Sequence, residues 1–370
     1  MAAITPIVMP KWGLSMQEGT VNAWLVDEGA RIKVGDPILE VETDKIAGTV
    51  EAADPGTLRR KVAAPGQTLP VKALLGAMAE ADVSDQEIDA FVATYVVPAG
   101  EAGDDPVDSG YRFTEVDGIR VRYARKGDGA GTVLFVHGFG GDLDNWLFNL
   151  DALAERHTVI ALDLPGHGQS DRRLPGTTLA DLARFVARFL DAVEIGSAHL
   201  VGHSMGGAIA AQMALDHPAT VESVALIGSA GLGDEINTGY TEGFVTAQSR
   251  RDLKPVVEQL FANPGLVSRQ MLDHLLEYKR FDGIGELLTA LGQRLFRDGR
   301  QAEQPGRRLA ETGKRVLVVW GAEDHVIPAR HASHAPAGAT VAVLDGAGHM
   351  VQMEKASEVN RLLQQHVAGG

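Results

Sequence analysis

A serine between two glycines is the strongest chemical signal in the sequence. The letters GHSMG at residues 202–206 have the form G-x-S-x-G, with Ser204 at the centre. An apolar run precedes them and an alanine-rich, helix-like segment follows. This strand–turn–helix context is typical of a nucleophile elbow, because the glycines relieve crowding at a sharp turn that exposes the serine oxygen. Ser204 is therefore predicted to be a nucleophile, and the alternative is an inert serine in a glycine-rich turn.

A serine hydroxyl needs a base to take its proton and an acid to orient that base. The order serine, acid, histidine places the base late in the chain. His349 follows a late apolar run within GAGH, and Asp324 follows the preceding run within WGAED. Glu323 is the competing acid, and His325 is expected on the loop surface. These residues predict a triad of Ser204, Asp324 and His349.

Two turn-rich runs accompany these residues. HGFGG at 137–141 is similar to the HG-type loop that provides one oxyanion N–H, and Met205, after the serine, provides another. As a phosphate loop the run lacks the required Lys-Ser/Thr pair. DLPGHGQS at 163–170 is interpreted as a structural loop, with His167 and His203 as packing or hydrogen-bonding residues. The sequence holds no HExxH or comparable ligand set, so no metal is predicted.

Lys45 is the second candidate reactive side chain. It lies in a strand–turn–strand pattern, which predicts that the lysine projects from a hairpin tip. An internal repeat surrounds it: Gly19 recurs as Gly56 and Ile38 as Leu75, with one offset of 37 positions. Two such copies predict a small β-sandwich with approximate two-fold symmetry.

The elements that must position the serine begin near residue 111. Apolar runs alternate there with helix-like segments, which predicts a mostly parallel sheet with helices on both faces. The long helix-like connection after residue 227 is interpreted as a cap over the site, about 231–312. The predicted strands cover 113–116, 119–123, 132–136, 158–162, 199–201, 221–227, 316–320 and 341–344, and predicted helices cover 179–193 and 205–217.

Three segments follow from these patterns: an all-β domain over 1–96, a linker over 97–110 and an α/β domain over 111–370. The linker has two prolines, three glycines, four acids and no base, so we expect it to be extended and mobile. Residues 87–95, just before it, read as a short amphipathic tail or a final strand.

Composition excludes several classes of function. The chain has 370 residues, a net charge of −15 and no cysteine. An acidic chain has no general field for nucleic acid or anionic lipid, and without cysteine neither disulfides nor a thiol nucleophile can form. The N-terminus has no signal-peptide pattern, and no apolar run reaches the roughly 18 residues that span a membrane. We expect a cytoplasmic protein with no membrane contact.

Residues from about 111 to 367 resemble an α/β-hydrolase-fold domain. The resemblance rests on the combination of HGFGG, DLPGHGQS, GHSMGG, GAEDHVIP and GAGHM. It implies that Ser204, Asp324 and His349 form the triad, and that Phe139 and Met205 are the oxyanion donors.

Residues from about 4 to 81 resemble a lipoyl domain, on MPKWGLSMQEG at 9–19 and ETDKI at 42–46. The resemblance implies lipoate attached to Lys45, and an unmodified turn lysine is the alternative. Biotin-carrier domains place methionines beside the lysine, whereas Asp44 and Ile46 stand here. The subunit-binding domain and H-x-x-x-D-G motif of the usual lipoyl-linked acyltransferases do not occur in this sequence.

Together the two domains resemble the acyltransferase components of acetoin dehydrogenase complexes. This implies acetyl transfer from S-acetyl-dihydrolipoyl-lysine to coenzyme A through an acyl-enzyme on Ser204. The implied partners are a thiamine-diphosphate-dependent acetoin dehydrogenase and dihydrolipoamide dehydrogenase, with a homo-oligomer left open. Arg250, Arg251 and Lys254 are candidates for the coenzyme A phosphates, or else solvated surface. Two further functions stay open: a lipoyl-tethered thioesterase or esterase, and a carrier or scaffold whose hydrolase domain is not catalytic.

Overall fold

The structure, a computed structural model, describes residues 4–12, 16–43, 47–97 and 110–369. The chain forms two compact units, Met1–Ser109 and Gly110–Gly370, here called the N-terminal and C-terminal units. The predicted linker lies almost entirely outside the described residues. Within those ranges, no helix combines the length and apolarity that crossing a membrane requires.

The N-terminal unit consists of two four-stranded antiparallel sheets. One has the order β1-β8-β6-β3 and the other β5-β4-β2-β7. The strands are β1 (Thr5–Val8), β2 (Glu18–Trp24), β3 (Arg31–Ile32), β4 (Pro37–Glu42), β5 (Ala47–Glu51), β6 (Gly56–Lys61), β7 (Thr68–Pro70) and β8 (Leu74–Met78).

The internal repeat explains this topology. The order β4-β2-β7 of one sheet corresponds to β8-β6-β3 of the other when each strand is shifted by one repeat. Ile38 and Leu75, one repeat apart, are both buried in the shared core. The predicted β-sandwich with approximate two-fold symmetry is therefore confirmed.

A helix, α1 (Asp85–Thr94), follows β8. The alternative of a final strand over 87–95 was therefore wrong. The Glu87 amide donates to Ser84 Oγ and the Ser84 amide donates back to the Glu87 carboxylate, a capping box that the sequence carries as S-x-x-E. Arg59 pairs with Asp85 at 2.8 Å, which ties the first turn to β6.

An eight-stranded sheet forms the centre of the C-terminal unit, in the order β18-β17-β14-β13-β11-β12-β10-β9. The six strands from β18 to β12 are parallel, and β10 and β9 continue the sheet as an antiparallel hairpin. Its strands are β9 (Tyr111–Val116), β10 (Ile119–Lys126), β11 (Thr132–Val136), β12 (Thr158–Leu162), β13 (Ala198–His203), β14 (Val221–Ile227), β17 (Arg315–Gly321) and β18 (Thr340–Leu344). Strands β15 (Phe296–Arg297) and β16 (Arg300–Gln301) form a separate two-stranded sheet.

The central strands are buried on both faces, as apolar runs such as TVLFV and TVIAL require. This confirms the predicted α/β fold with a mostly parallel sheet. The helices are α2 (Leu150–Ala154), α3 (Leu179–Ala192), α4 (Met205–Asp216), α5 (Thr238–Thr246), α6 (Arg250–Val257), α7 (Arg269–Lys279), α8 (Ile284–Leu295), α9 (Val351–Glu354) and α10 (Ala356–Ala368).

The segment between β14 and β17 is the helical cap that the sequence predicts. It contains α5 to α8 and the short β15–β16 hairpin, which the sequence reading did not include. The cap packs on the loop after β11 through Phe244 and Phe296, whose rings lie 6.4 and 6.1 Å from the ring of Phe139. It therefore covers the edge of the sheet where the parallel strands end.

One residue pair tests how burial distributes stability across this sheet. Val318 of β17 and Val341 of β18 are register partners, but Val318 is 0% and Val341 46% exposed. Val318→Ala should lower the free energy of unfolding by about 2 kcal/mol, because it leaves a cavity in the core. The control Val341→Ala should change it by less than about 0.5 kcal/mol. Urea denaturation of both variants is the measurement, and equal losses would contradict the packing described.

Candidate active site

Ser204 lies at the turn between β13 and α4 in a strained conformation. Its φ is 53° and its ψ −120°, a region that costs a non-glycine residue free energy unless its surroundings hold it there. The Ser204 amide donates to the Ile227 carbonyl at 3.0 Å, and the Ser204 carbonyl accepts from the Ala230 amide at 3.0 Å. The end of β14 thus clamps the turn that the sequence predicts.

The two glycines of the motif have a steric cause. A Cβ on Gly202 would lie 2.3 Å from the Gly206 carbonyl oxygen, and a Cβ on Gly206 would lie 2.1 Å from the Val136 carbonyl oxygen. Both distances are far inside van der Waals contact. Only glycine therefore allows β13, β11 and the first turn of α4 to approach so closely around Ser204.

His349 and Asp324 form a buried pair. His349 Nδ1 lies 2.8 Å from Asp324 Oδ2, and the two residues are 1% and 9% exposed. Asp324 Oδ1 accepts from the amides of Val326 and Ile327, both at 2.8 Å. Trp320 Nε1 donates to Oδ2 at 3.1 Å. These donors fix the carboxylate, so that His349 carries its proton on Nδ1 and leaves Nε2 free to accept another.

Glu323, the competing acid, is exposed and serves a different bond. Its Oε2 accepts from the Ala347 amide at 3.0 Å, so it fastens the loop that carries His349 rather than the imidazole. His325 is exposed, as expected. The geometry therefore favours Asp324 as the orienting acid.

His203, the residue before the serine, joins the elbow to the base. Its Nε2 lies 2.9 Å from the His349 carbonyl oxygen, and the two rings are 4.6 Å apart. A carbonyl oxygen only accepts, so Nε2 holds the hydrogen. Burial lowers the pKa of His203 well below its ordinary value, which keeps the ring neutral. The sequence predicts a hydrogen-bonding residue here, and the structure gives its partner.

The loop after β11 lies against the nucleophile. A Cβ on Gly138 would lie 2.9 Å from Ser204 Cβ. His137 Nε2 accepts from the Leu164 amide at 2.9 Å, and Nδ1 lies 2.8 Å from the Gly138 carbonyl oxygen. Burial lowers the pKa of His137 to about 4, in keeping with a ring nitrogen that must stay an acceptor.

Of the two predicted oxyanion donors, Met205 follows the serine in the chain and Phe139 lies in the loop that packs against it. Met205 opens α4, and the first amides of a helix have no intrahelical acceptor. Phe139 follows Gly138 in the loop against Ser204, and its buried ring is held by the cap. Both backbones adjoin the serine, and their donor role stays a prediction.

A buried ion pair that the sequence did not reveal supports this loop. Arg122 Nε donates to Asp163 Oδ2 at 2.7 Å, and both residues are buried. The Asp163 carboxylate also accepts from the amides of Leu143 at 2.9 Å and Gln169 at 2.7 Å. The pair thus ties the loop after HGFGG to DLPGHGQS. An arginine on a hairpin strand reads as solvated, so no sequence signal distinguished Arg122.

Glu354 is a second residue missed from sequence. Its carboxylate accepts from the Gly348 amide at 2.6 Å and from the cap amides of Ala262 and Asn263 at 2.9 and 3.2 Å. Burial raises its pKa above the ordinary value. Because Gly348 immediately precedes His349, Glu354 connects the cap to the base.

Lys45, the predicted attachment residue, lies outside the described residues. The strands on either side of it, β4 and β5, pair antiparallel with Glu42 opposite Ala47. Residues 43–46 therefore connect them, a length that suits a hairpin. The modification of Lys45 stays a prediction.

Comparisons with known proteins place both units. The chain matches the family model "alpha/beta hydrolase fold" over residues 131–356 and the family model "Biotin-requiring enzyme" over residues 5–78. The C-terminal fold is similar to a meta-cleavage product hydrolase from Pseudomonas fluorescens, with a TM-score of 0.63 and 24% identity, over 70% of this chain and 97% of that one. At that identity the likeness shows the fold alone.

Two relatives extend over the whole chain. One, from Cupriavidus necator, is 69% identical over 99% of this chain and 98% of its own length. Another, from Pseudomonas putida, is 48% identical over 98% of both. Each is named the dihydrolipoyllysine-residue acetyltransferase component of an acetoin cleaving system. The similarity covers both units in the same order.

Asp324→Asn tests the orienting acid. The amide cannot hold His349 in the tautomer that accepts a proton at Nε2, so kcat for hydrolysis of an activated ester such as p-nitrophenyl acetate should fall about 10⁴-fold. The matched control Glu323→Gln should leave kcat close to wild type, since Glu323 contacts only the loop backbone. A larger loss in Glu323→Gln than in Asp324→Asn would reverse the assignment.

His137 predicts an acid dependence of stability. Its pKa is about 4 in the folded chain and about 6.5 when unfolded, so the unfolded chain takes the proton first. The contribution is complete above about pH 6.5 and falls as the pH drops toward 4. In His137→Gln the difference in unfolding free energy between about pH 7 and about pH 4 should shrink by roughly 3 kcal/mol. Urea denaturation measures it, with exposed His325→Gln as control; identical dependence in both variants would refute the assignment.

Proposed function

The chain belongs to the dihydrolipoyllysine-residue acetyltransferase components of acetoin cleaving systems, and from this membership we propose its residue-level mechanism. The acetyl group passes from S-acetyl-dihydrolipoyl-lysine at Lys45 to coenzyme A through an acyl-enzyme on Ser204. One observation carries the proposal: the strained serine directly follows His203, which contacts the His349 of a buried imidazole–carboxylate pair, in a chain that also has a carrier-type domain. The triad supplies acyl transfer, and the carrier supplies its donor.

In the first half-reaction Ser204 Oγ attacks the thioester carbonyl carbon. His349 Nε2 takes the hydroxyl proton, and Asp324 stabilises the imidazolium that forms. The amides of Phe139 and Met205 donate to the developing oxyanion. When the carbon–sulfur bond breaks, His349 returns the proton to the departing sulfur. The products are acetyl-Ser204 and the free dithiol.

In the second half-reaction the thiol of coenzyme A is the acceptor. His349 Nε2 takes the thiol proton as the sulfur attacks the acetyl carbon. The bond to Ser204 Oγ then breaks, and His349 returns the proton to the serine. One base thus serves both steps, and Ser204 and His349 return to their starting states while the carrier is left as the dithiol.

Lys45 fits a carrier role by its place in the chain. The four-residue connection between β4 and β5 puts it between two paired strands. A lipoyl group on this lysine supplies a thiol that carries the acetyl group as a thioester. Because both units belong to one chain, the encounter between the lipoyl arm and Ser204 is intramolecular. For short flexible linkers the effective concentration of such an arm reaches the millimolar range.

The proposed partners are the enzymes that load the carrier with an acetyl group and reoxidise its dithiol. A thiamine-diphosphate-dependent acetoin dehydrogenase supplies the acetyl group, and the flavoprotein dihydrolipoamide dehydrogenase reoxidises the dithiol. We place these reactions in the cytoplasm, in keeping with a chain that has no cysteine.

Ser204→Ala tests the acyl-enzyme. With full-length lipoylated chain acetylated on its dihydrolipoyl group, the variant should form acetyl-coenzyme A at least about 10³-fold more slowly than wild type. Intact-mass spectrometry should show the acetyl group still on the carrier. A wild-type rate in Ser204→Ala would rule out the serine as nucleophile.

Lys45→Arg is the matched control. It should lose the lipoyl mass increment and all transfer from the carrier, yet keep hydrolysis of p-nitrophenyl acetate. Omitting coenzyme A separates transfer from hydrolysis: a wild-type carrier that loses acetyl equally fast without the thiol would make the chain a thioesterase.

A further inference from the structure

Two of the three cap cations named as candidates for the coenzyme A phosphates are paired with carboxylates. Arg250 Nη2 pairs with Asp273 at 2.7 Å, and Lys254 pairs with Glu258 one helical turn away. These two residues therefore offer little net positive charge to an anion.

A surface cavity of about 390 Å³ lies beside the antiparallel hairpin of the C-terminal unit. Its floor is apolar, with Ile119 and Phe185 3% and 2% exposed. The side chains of Arg173 and Arg184 line it as well. The volume falls in the range of small-molecule sites, about 300–1,000 Å³, and suits a nucleotide.

The two arginines and two aspartates that line the cavity leave one guanidinium without a carboxylate partner. Asp117 pairs with Arg188, outside the lining, at 2.8 Å, and Asp181 pairs with Arg184 at 2.6 Å. Arg173 donates to the Gly118 carbonyl, and in the part of the chain that the structure describes no carboxylate pairs with it. The planar guanidinium binds phosphate oxygens with two parallel N–H groups. Arg173 therefore offers a local positive charge to an anion, although the chain as a whole has a net charge of −15.

The cavity lies at the same edge of the sheet as the nucleophile. Ile119 opens β10, which runs antiparallel to β12, so this end of β10 lies where the parallel strands finish. Strands β11 and β12 stand between β13, which leads into Ser204, and β10, so β13 and β10 are three strand spacings, about 14 Å, apart. In coenzyme A roughly 13 bonds separate the thiol from the diphosphate, the length of about four extended residues or about 15 Å. The arm of coenzyme A is therefore about as long as the spacing between these two strands.

We propose that this cavity binds the 3′-phosphoadenosine diphosphate end of coenzyme A, with Arg173 as a phosphate ligand. The inference rests on the proposed function, for which it names the acceptor subsite. The nucleotide lies over Ile119 and Phe185, and the pantetheine arm runs along the strand ends toward Ser204. Arg173 binds and positions the acceptor without touching the reacting atoms.

Arg173→Gln in the full-length lipoylated chain tests the subsite. The KM for coenzyme A should rise about tenfold, as expected for one lost charge-assisted phosphate contact, while kcat at saturation and the KM for pantetheine, which has no phosphate, stay at wild-type values. Arg173→Lys should restore part of the loss. Arg308→Gln removes another exposed arginine, which is paired with Glu311, and should change neither KM. An unchanged KM for coenzyme A in Arg173→Gln, or an equal rise for both thiols, overturns the subsite.

Calorimetric titration with coenzyme A tests binding at the cavity independently of the proposed acetyl transfer. If the wild-type chain transfers acetyl to neither thiol, the proposed function fails, and binding alone then decides the cavity. Tighter binding to wild type than to Arg173→Gln supports it. Equal binding, or none, overturns it.

Discussion

The bond between His349 and Asp324 is the interaction on which the site depends. A serine hydroxyl is a weak nucleophile, and an imidazole in the wrong tautomer cannot activate it. Both partners are buried, and three further donors hold the carboxylate. That immobility matters because, in the proposed mechanism, the same Nε2 accepts and returns a proton twice in each transfer. The imidazole and its carboxylate are held in place before any substrate enters.

The surrounding structure holds Ser204 in its strained backbone conformation. The turn at Ser204 is stable only because β14 and the glycines around it leave no alternative path for the backbone. Buried polar groups hold the neighbouring loops: Arg122 with Asp163 on one side, Glu354 on the other, and His203 between elbow and base. Each makes specific contacts to backbone or to its partner, which offset part of its burial cost. The packed core and these contacts thereby hold the site residues in position at the strand ends.

Sequence predicts most of this architecture where a residue's own type determines its place. The strands 132–136, 158–162 and 221–227 have the predicted bounds, because apolar β-branched runs of that length have few other stable environments. The elbow follows from its glycines. Sequence fails where a role depends on a distant partner: Arg122 and Glu354 look like surface charges until the fold brings them to Asp163 and Gly348. The helix at Asp85–Thr94 replaces the expected tail or final strand for a local reason, because the S-x-x-E capping box at its start favours a helix.

The same distinction applies to charge. From sequence, Arg250, Arg251 and Lys254 are the candidates for the coenzyme A phosphates because they lie in the predicted cap, and nothing in the sequence distinguishes Arg173. In the fold, Arg250 and Lys254 each face a carboxylate, whereas Arg173 faces a carbonyl oxygen beside an apolar floor. A basic side chain attracts a phosphate only to the extent that neighbouring carboxylates have not already neutralised its charge. In so acidic a chain, whether a guanidinium is paired therefore says more about where an anion binds than the number of basic residues does. Only the three-dimensional structure shows that pairing.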